Sequence, residues 1–237
     1  ITTRLVGSEM CIRDRYMNRI RPFIGGELIK VMTGIRRSGK SVMLELIKEE
    51  LAEAGVAPSQ MISINFEDMR YSHLQTATAL HDEIIKRAEG IEGKAYLFFD
   101  EIQEVEGWEK CVNSLRVALD CDIYITGSNA KLLSGELATY IGGRYVEFVI
   151  YPFSFAEFLE LYHTIAPSDS IQQCFQKYLL AGGMPYLANL RYEEEPSRQY
   201  LTDLFNSVQL KDIVKRNKIR DIDLLERIIA YMTANVG

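Results

Sequence analysis

Apolar residues gather into five short runs over the first two thirds of the chain, at 28–33, 61–66, 95–101, 122–127 and 144–150. Runs of this length, rich in Ile, Val, Phe and Tyr and bounded by Gly, Asp or Ser, read as buried strands. Between them the spacing changes to three and four. Residues 42–51 read as a helix ending near Gly55. Over 74–88, Leu74, Ala77, Leu80, Ile84 and Ile85 share one helical face, and Gly90 and Gly93 close the segment. Over 108–120, Trp108, Cys111, Val112, Leu115 and Leu119 do the same. Strands alternating with helices predict βαβ units, a parallel sheet and right-handed crossovers. After Ser154 the strand pattern stops. Residues 155–162, 170–180, 197–216 and 221–233 all read as helices, interrupted once by Gly182-Gly183-Met184-Pro185. The pattern places an α/β core at 16–166 and a helical region at 167–237, with the boundary near Pro167.

The first strand runs into Gly34-Ile35-Arg36-Arg37-Ser38-Gly39-Lys40-Ser41, and a helix follows. This is the phosphate-loop pattern G-x-x-x-x-G-K-[ST] in its required strand–loop–helix context. Glycines let the backbone approach a phosphate chain closely. The N–H groups at the helix start form an anion cradle. Lys40 is expected to meet the β- and γ-phosphates, and the Ser41 hydroxyl to hold Mg²⁺. The expected nucleotide-binding set is Gly34, Arg36, Arg37, Ser38, Gly39, Lys40, Ser41 and Val42. Arg36 and Arg37 fill variable loop positions, where solvated side chains are the competing reading.

A phosphate loop needs a second element to hold the metal and direct water. The third strand ends in Asp100-Glu101, where ligands bind in open α/β sheets. Asp100 is the expected Mg²⁺ residue and Glu101 the group that polarises the attacking water. The fourth strand ends in Thr126-Gly127-Ser128-Asn129. Ser128 and Asn129 are candidates to reach the γ-phosphate or the water, with helix capping as the alternative. Arg144, after Gly142-Gly143, is either an arginine finger acting on a neighbouring subunit or a surface arginine at a strand start.

Charge and composition narrow the classes. The chain is 47% hydrophobic and 25% charged, within the globular range. A net charge of −6 argues against a broad nucleic-acid-binding surface. Lys211, Lys215, Arg216, Lys218 and Arg220 still form a local basic cluster, read either as a DNA-phosphate contact or as a solvated helix face. There is no run of 18 apolar residues, so no membrane helix is expected. His73, His81 and His163 are scattered, and the four cysteines form no C-x-x-C pair. They suit reduced thiols, and a cytoplasmic location is expected. Residues 1–15 lack a period, and Gly7 to Arg15 resembles translated adaptor sequence, with an ordinary mobile N-terminal arm as the alternative, so this stretch is set aside from the fold. The helical pattern reaches almost to Gly237, which suggests that the chain is cut short there.

Taken together, the phosphate loop, Phe66-Glu67-Asp68, Phe98-Phe99-Asp100-Glu101-Ile102-Gln103, Thr126-Gly127-Ser128-Asn129, Tyr151-Pro152-Phe153-Ser154-Phe155 and Gly182-Gly183-Met184-Pro185 resemble one bacterial and archaeal family. It is the AAA-type "ATP-binding protein" family whose chains continue into a nuclease-like domain of unknown function, related to archaeal ATPases with a winged-helix domain. The resemblance spans about residues 16–237. It implies an AAA core with one strand between the Asp100 strand and the phosphate-loop strand, and a truncated winged-helix-like region at the end. The expected function is Mg²⁺-dependent ATP hydrolysis, with a homo-oligomer and a DNA or protein partner reached through the C-terminal region. Two alternatives stay open: a slow nucleotide-dependent switch and a phosphate-loop kinase.

Overall fold

Every position of β1 (Ile29–Thr33) is buried, and so is every position of β4 (Cys121–Thr126). Strands covered on both faces are what a parallel sheet demands. The computed structural model describes residues 13–127, 141–208 and 221–235. It joins these strands with β2 (Met61–Asn65), β3 (Ala95–Asp100) and β5 (Tyr145–Val149) in the order β2-β3-β4-β1-β5, every pairing parallel. β4 therefore lies between the phosphate-loop strand and the Asp100 strand, as expected.

Successive strand residues feed opposite faces. Val31, Leu97, Phe99, Ile123 and Ile125 form one core with Leu80 and Ile84 of α3 (Ala77–Ala88) and Trp108, Val112 and Leu115 of α4 (Trp108–Ala118). Met32, Phe98, Tyr124 and Phe148 form the other with α1 (Asp14–Ile20) and α2 (Lys40–Glu53). The expected helix-covered parallel sheet is the observed fold. α3 begins three residues later than its periodicity suggests, because the Thr76 hydroxyl accepts from Ala79 N and caps it there. Cys111, Cys121 and Cys174 are buried free thiols. Burial pushes the Cys111 thiol up to about 12 and the Cys121 thiol up to about 11, away from reactivity.

Arg13 to Arg15 of the stretch set aside at the start are among the described residues. Arg13 is buried, and α1 starts at Asp14, so exclusion through Arg15 is corrected. α1 is too short for its apolar spacing to show a period, and Tyr16, Met17 and Ile20 hold it by packing.

At the base of the sheet, β1 and β4 bury a charge pair. The Lys30 ammonium donates to Asp122, and both side chains are fully buried. Lys30 also donates to Gly26 O at 3.2 Å. The Tyr124 hydroxyl at 2.7 Å and Gly25 N at 2.6 Å donate to the other carboxylate oxygen. Burial lowers the Lys30 pKa, and Asp122 opposes that shift. Lys30→Met should destabilise the fold by about 3–5 kcal/mol, since it strands a buried carboxylate. Urea unfolding checks this, and adding Asp122→Asn should recover part of the loss.

The chain divides into compact units Ile1–Tyr186 and Leu187–Gly237. The pattern alone puts the boundary near Pro167. However, α6 (Ile171–Ala181) stays with the first unit, because Phe175 and Tyr178 pack on Phe155 of α5 (Phe155–His163) at 5.1 and 5.5 Å. The second unit contains α7 (Glu194–Val208) and α8 (Ile222–Ala234). The basic cluster at 211–220 lies outside the described residues. Among the described residues no helix is long and apolar enough to cross a membrane.

Candidate nucleotide-binding site

The phosphate loop is shaped by backbone requirements. A Cβ at Gly34 would sit 2.2 Å from Ile150 O, so β1 can leave the sheet beside β5 only through glycine. Arg37 (φ 61°) and Gly39 (φ 102°) take left-handed conformations, the kind of turn that points successive N–H groups into one concavity. α2 then starts without any side-chain cap. Its first N–H groups are left for an anion. The Ser38 hydroxyl is buried with no hydrogen-bond partner. An uncapped 14-residue helix, an unsatisfied hydroxyl and a loop that excludes side chains fit a phosphate chain. Lys40 is 4% exposed, and its ammonium donates to Gly34 O at 3.2 Å and Ile35 O at 3.1 Å, so it is held inside the loop. Ser41 and Val42 are exposed at the start of α2.

The acidic half comes from the ends of three adjacent strands. Asp100 is 7% exposed. It accepts from the Thr126 hydroxyl through Oδ1 and from Asn65 Nδ2 at 3.2 Å through Oδ2. Both bonds orient a carboxylate that would serve, with Ser41, as the oxygen donors Mg²⁺ prefers. Glu101 has φ 56°, uncommon for a non-glycine residue. That turn lets Glu101 N donate to Thr126 Oγ1 at 3.0 Å. It also brings the Glu101 carboxylate to 3.8 Å from the Lys40 ammonium, while Gln103 Nε2 donates to its other oxygen. Strain of this kind costs on the order of 1–3 kcal/mol and collects at functional sites.

Thus Lys40, Asp100 and Glu101 converge. Arg36 reaches over the loop to Glu67, 3.7 Å between charged atoms, while Arg37 is exposed. Ser128 and Asn129 lie outside the described residues. Arg144 does not join them. Its carbonyl accepts from Ile29 N, which puts its backbone at the far end of β1, a strand length (~16 Å) from its own phosphate loop, and its guanidinium donates to Asn113 Oδ1 at 3.0 Å. The sequence reading did not select Asn65, Thr126 as a carboxylate-orienting residue, or Gln103. The available signal was that Asn65 and Thr126 are polar residues at the ends of mostly apolar strands on both sides of Asp100.

Residues 27–159 match the family model described as an AAA domain, and residues 172–237 match a domain of unknown function (DUF8612). An uncharacterised protein of Haemophilus influenzae is 39% identical over 233 residues, which is 98% of this chain and 58% of that protein. An uncharacterised protein of Methanocaldococcus jannaschii is 33% identical over 219 residues, 87% of this chain and 47% of that protein. The chain spans about half the length of these curated relatives. A point mutant of RuvB from Thermotoga maritima shares the fold at a TM-score of 0.50 and 13% identity, over 85% of this chain and 69% of that one. An AAA-type core with this site supports nucleotide binding. With more than half of its residues matched, the chain belongs to the AAA domain family.

Proposed function

We propose that the chain binds ATP with Mg²⁺ and hydrolyses it to ADP and phosphate. One observation carries the reading: the Glu101 carboxylate, two strands away from the phosphate-loop strand, lies 3.8 Å from the loop's own Lys40. A ligand straddling both elements would meet both side chains. The loop N–H groups and Lys40 bind and orient the β- and γ-phosphates. Mg²⁺, held by Ser41 and Asp100, would supply charge neutralisation at the phosphate oxygens. Glu101 accepts the proton of the attacking water as it adds to the γ-phosphorus. Positioning and charge stabilisation supply the rate, and no covalent enzyme intermediate is needed.

A second reading, a slow switch, is favoured by one feature. Glu101 is engaged by Lys40 and Gln103 and must leave them before it can accept a proton. Phosphate release from MgATP by the purified chain, with and without small-molecule acceptors, separates the possibilities. Acceptor-independent turnover supports hydrolysis. Binding without turnover supports the switch. Phosphate that appears only on an acceptor supports a kinase.

The energy is proposed to drive or gate an effector, either a DNA contact through the basic cluster at 211–220 or the remainder of the longer relatives. Arg144 is proposed to act in trans, since its placement keeps it from its own site. Specific activity should then rise with protein concentration. Arg144→Ala should lower turnover while leaving ATP affinity nearly intact, and mixing it with Lys40→Ala subunits should restore some activity. Absence of rescue together with concentration-independent turnover would make Arg144 a surface residue.

A further inference from the structure

The ion pair between Arg36 and Glu67 joins two elements that the sheet keeps apart. Arg36 lies in the phosphate loop, which follows β1, and Glu67 follows β2. In the order β2-β3-β4-β1-β5, two strands stand between them. At the ordinary spacing of neighbouring strands this is a lateral separation of about 14 Å. Arg36 Nη2 is nevertheless 3.7 Å from Glu67 Oε1. The pair therefore spans the carboxyl-terminal ends of β4 and β3, where Thr126, Asp100 and Glu101 sit.

The backbone of Glu67 is fixed beside the site. Phe66 N donates to Asp100 O at 3.0 Å, and Glu67 N donates to Asn65 Oδ1 at 2.9 Å. Asn65 Nδ2 donates to Asp100 Oδ2 at 3.2 Å. One asparagine thus ties the turn that carries Glu67 to the carboxylate expected to hold Mg²⁺. On the loop side, Lys40 lies 3.8 Å from Glu101. Lys40 and Arg36 are each matched to an acid from the far side of the site. The two pairs differ in exposure. The side chains of Lys40 and Glu101 are 4% and 14% exposed, those of Arg36 and Glu67 31% and 56%. An ion pair that open to water adds little stability and costs little to break.

A terminal phosphate carries more charge than a carboxylate and offers a guanidinium fork two oxygens at once. We propose that Arg36 reads the γ-phosphate within its own subunit: it rests on Glu67 until a triphosphate binds, and then transfers to the terminal phosphate. The inference rests on the reading that the loop binds a nucleotide's phosphates. A diphosphate has no terminal group to draw Arg36 across, so the pair with Glu67 persists. Glu67 is then a competitor for the guanidinium that lowers affinity for triphosphates and not for diphosphates. Once transferred, Arg36 adds positive charge at the γ-phosphate oxygens, where phosphoryl transfer spreads its developing charge. This needs no neighbouring subunit, unlike the part proposed for Arg144.

The test is calorimetry on the full chain at one salt concentration, with MgADP and with the Mg²⁺ complex of the β,γ-imido analogue of ATP. The proteins are the parent, Arg36→Ala, Arg36→Lys, Glu67→Gln and the double variant Arg36→Ala with Glu67→Gln, and melting temperatures verify that each folds. Arg36→Ala should weaken binding of the triphosphate about tenfold, while MgADP stays within about twofold. Arg36→Lys keeps the charge and loses the fork, so it should recover part of that loss. Glu67→Gln should tighten the triphosphate about threefold and leave MgADP unchanged. That gain should vanish when Arg36 is already alanine. Equal weakening of both nucleotides by Arg36→Ala, or no change in either, would overturn the γ-phosphate role. A gain of the same size in the double variant would mean that Glu67 repels phosphate by its own charge, and would overturn the competition for Arg36. Failure of the folded parent to bind either nucleotide would overturn the phosphate-loop reading and this inference with it.

Discussion

Glu101→Gln is expected to lower ATP turnover by roughly a hundredfold while MgATP binding is kept, the scale of lost general-base catalysis. The substitution preserves shape and removes the carboxylate proposed to accept the water's proton. The backbone N–H of residue 101 still donates to Thr126 Oγ1, so the unusual turn at φ 56° keeps its anchor. The side chain keeps an oxygen that can accept from Gln103. Affinity should hold or improve, because a carboxylate 3.8 Å from Lys40 repels the incoming phosphates and an amide does not. Phosphate release and calorimetry on the same preparation check both halves. Near-normal turnover would pass the role of water activator to another residue. Simultaneous loss of binding and turnover would mean that Glu101 serves the turn rather than the reaction.

Most of the frame was legible because it rests on local signals that burial reinforces. The strands ending in Thr33, Asp100 and Thr126 are mostly apolar runs, broken before their polar ends by Lys30 and Asp122, and a two-sided sheet demands that pattern. The loop's residues carry their own spacing, so Lys40 was readable without a fold. Less legible were groups whose meaning depends on a neighbour distant in sequence. Asn65 and Thr126 become orienting residues only because β2 and β4 flank β3. Lys30 reads as an interruption in a buried strand until β4 brings Asp122 to it. The segments around Phe153 and Gly183 were visible as motifs, yet nothing in their spacing says that they touch. Arg13 was set aside with an aperiodic stretch, and its burial follows from acceptors on the loop, on Tyr151 and on α5. A side chain in a stretch without a period can be buried when the fold concentrates acceptors around it.

Lys40→Ala is expected to weaken MgATP binding at least tenfold, about 1.4 kcal/mol, and to remove turnover with it. Lys40 supplies a buried positive charge beside the loop's backbone amides and the orphaned Ser38 hydroxyl. Its ammonium rests on the carbonyls of Gly34 and Ile35, and a phosphate oxygen offers it a charged acceptor in exchange. The side chain is 4% exposed, so little solvent screens that interaction. Alanine at this position keeps a good helix former at the start of α2. A change in melting temperature measured alongside separates lost binding from lost folding. The decisive measurement is an equilibrium titration of MgATP into the purified chain and into Lys40→Ala under identical salt. Saturable binding by the parent, reduced at least about tenfold in the folded variant, is the outcome that a phosphate loop requires. Equal affinity in the two proteins, or no binding by the folded parent, would contradict it.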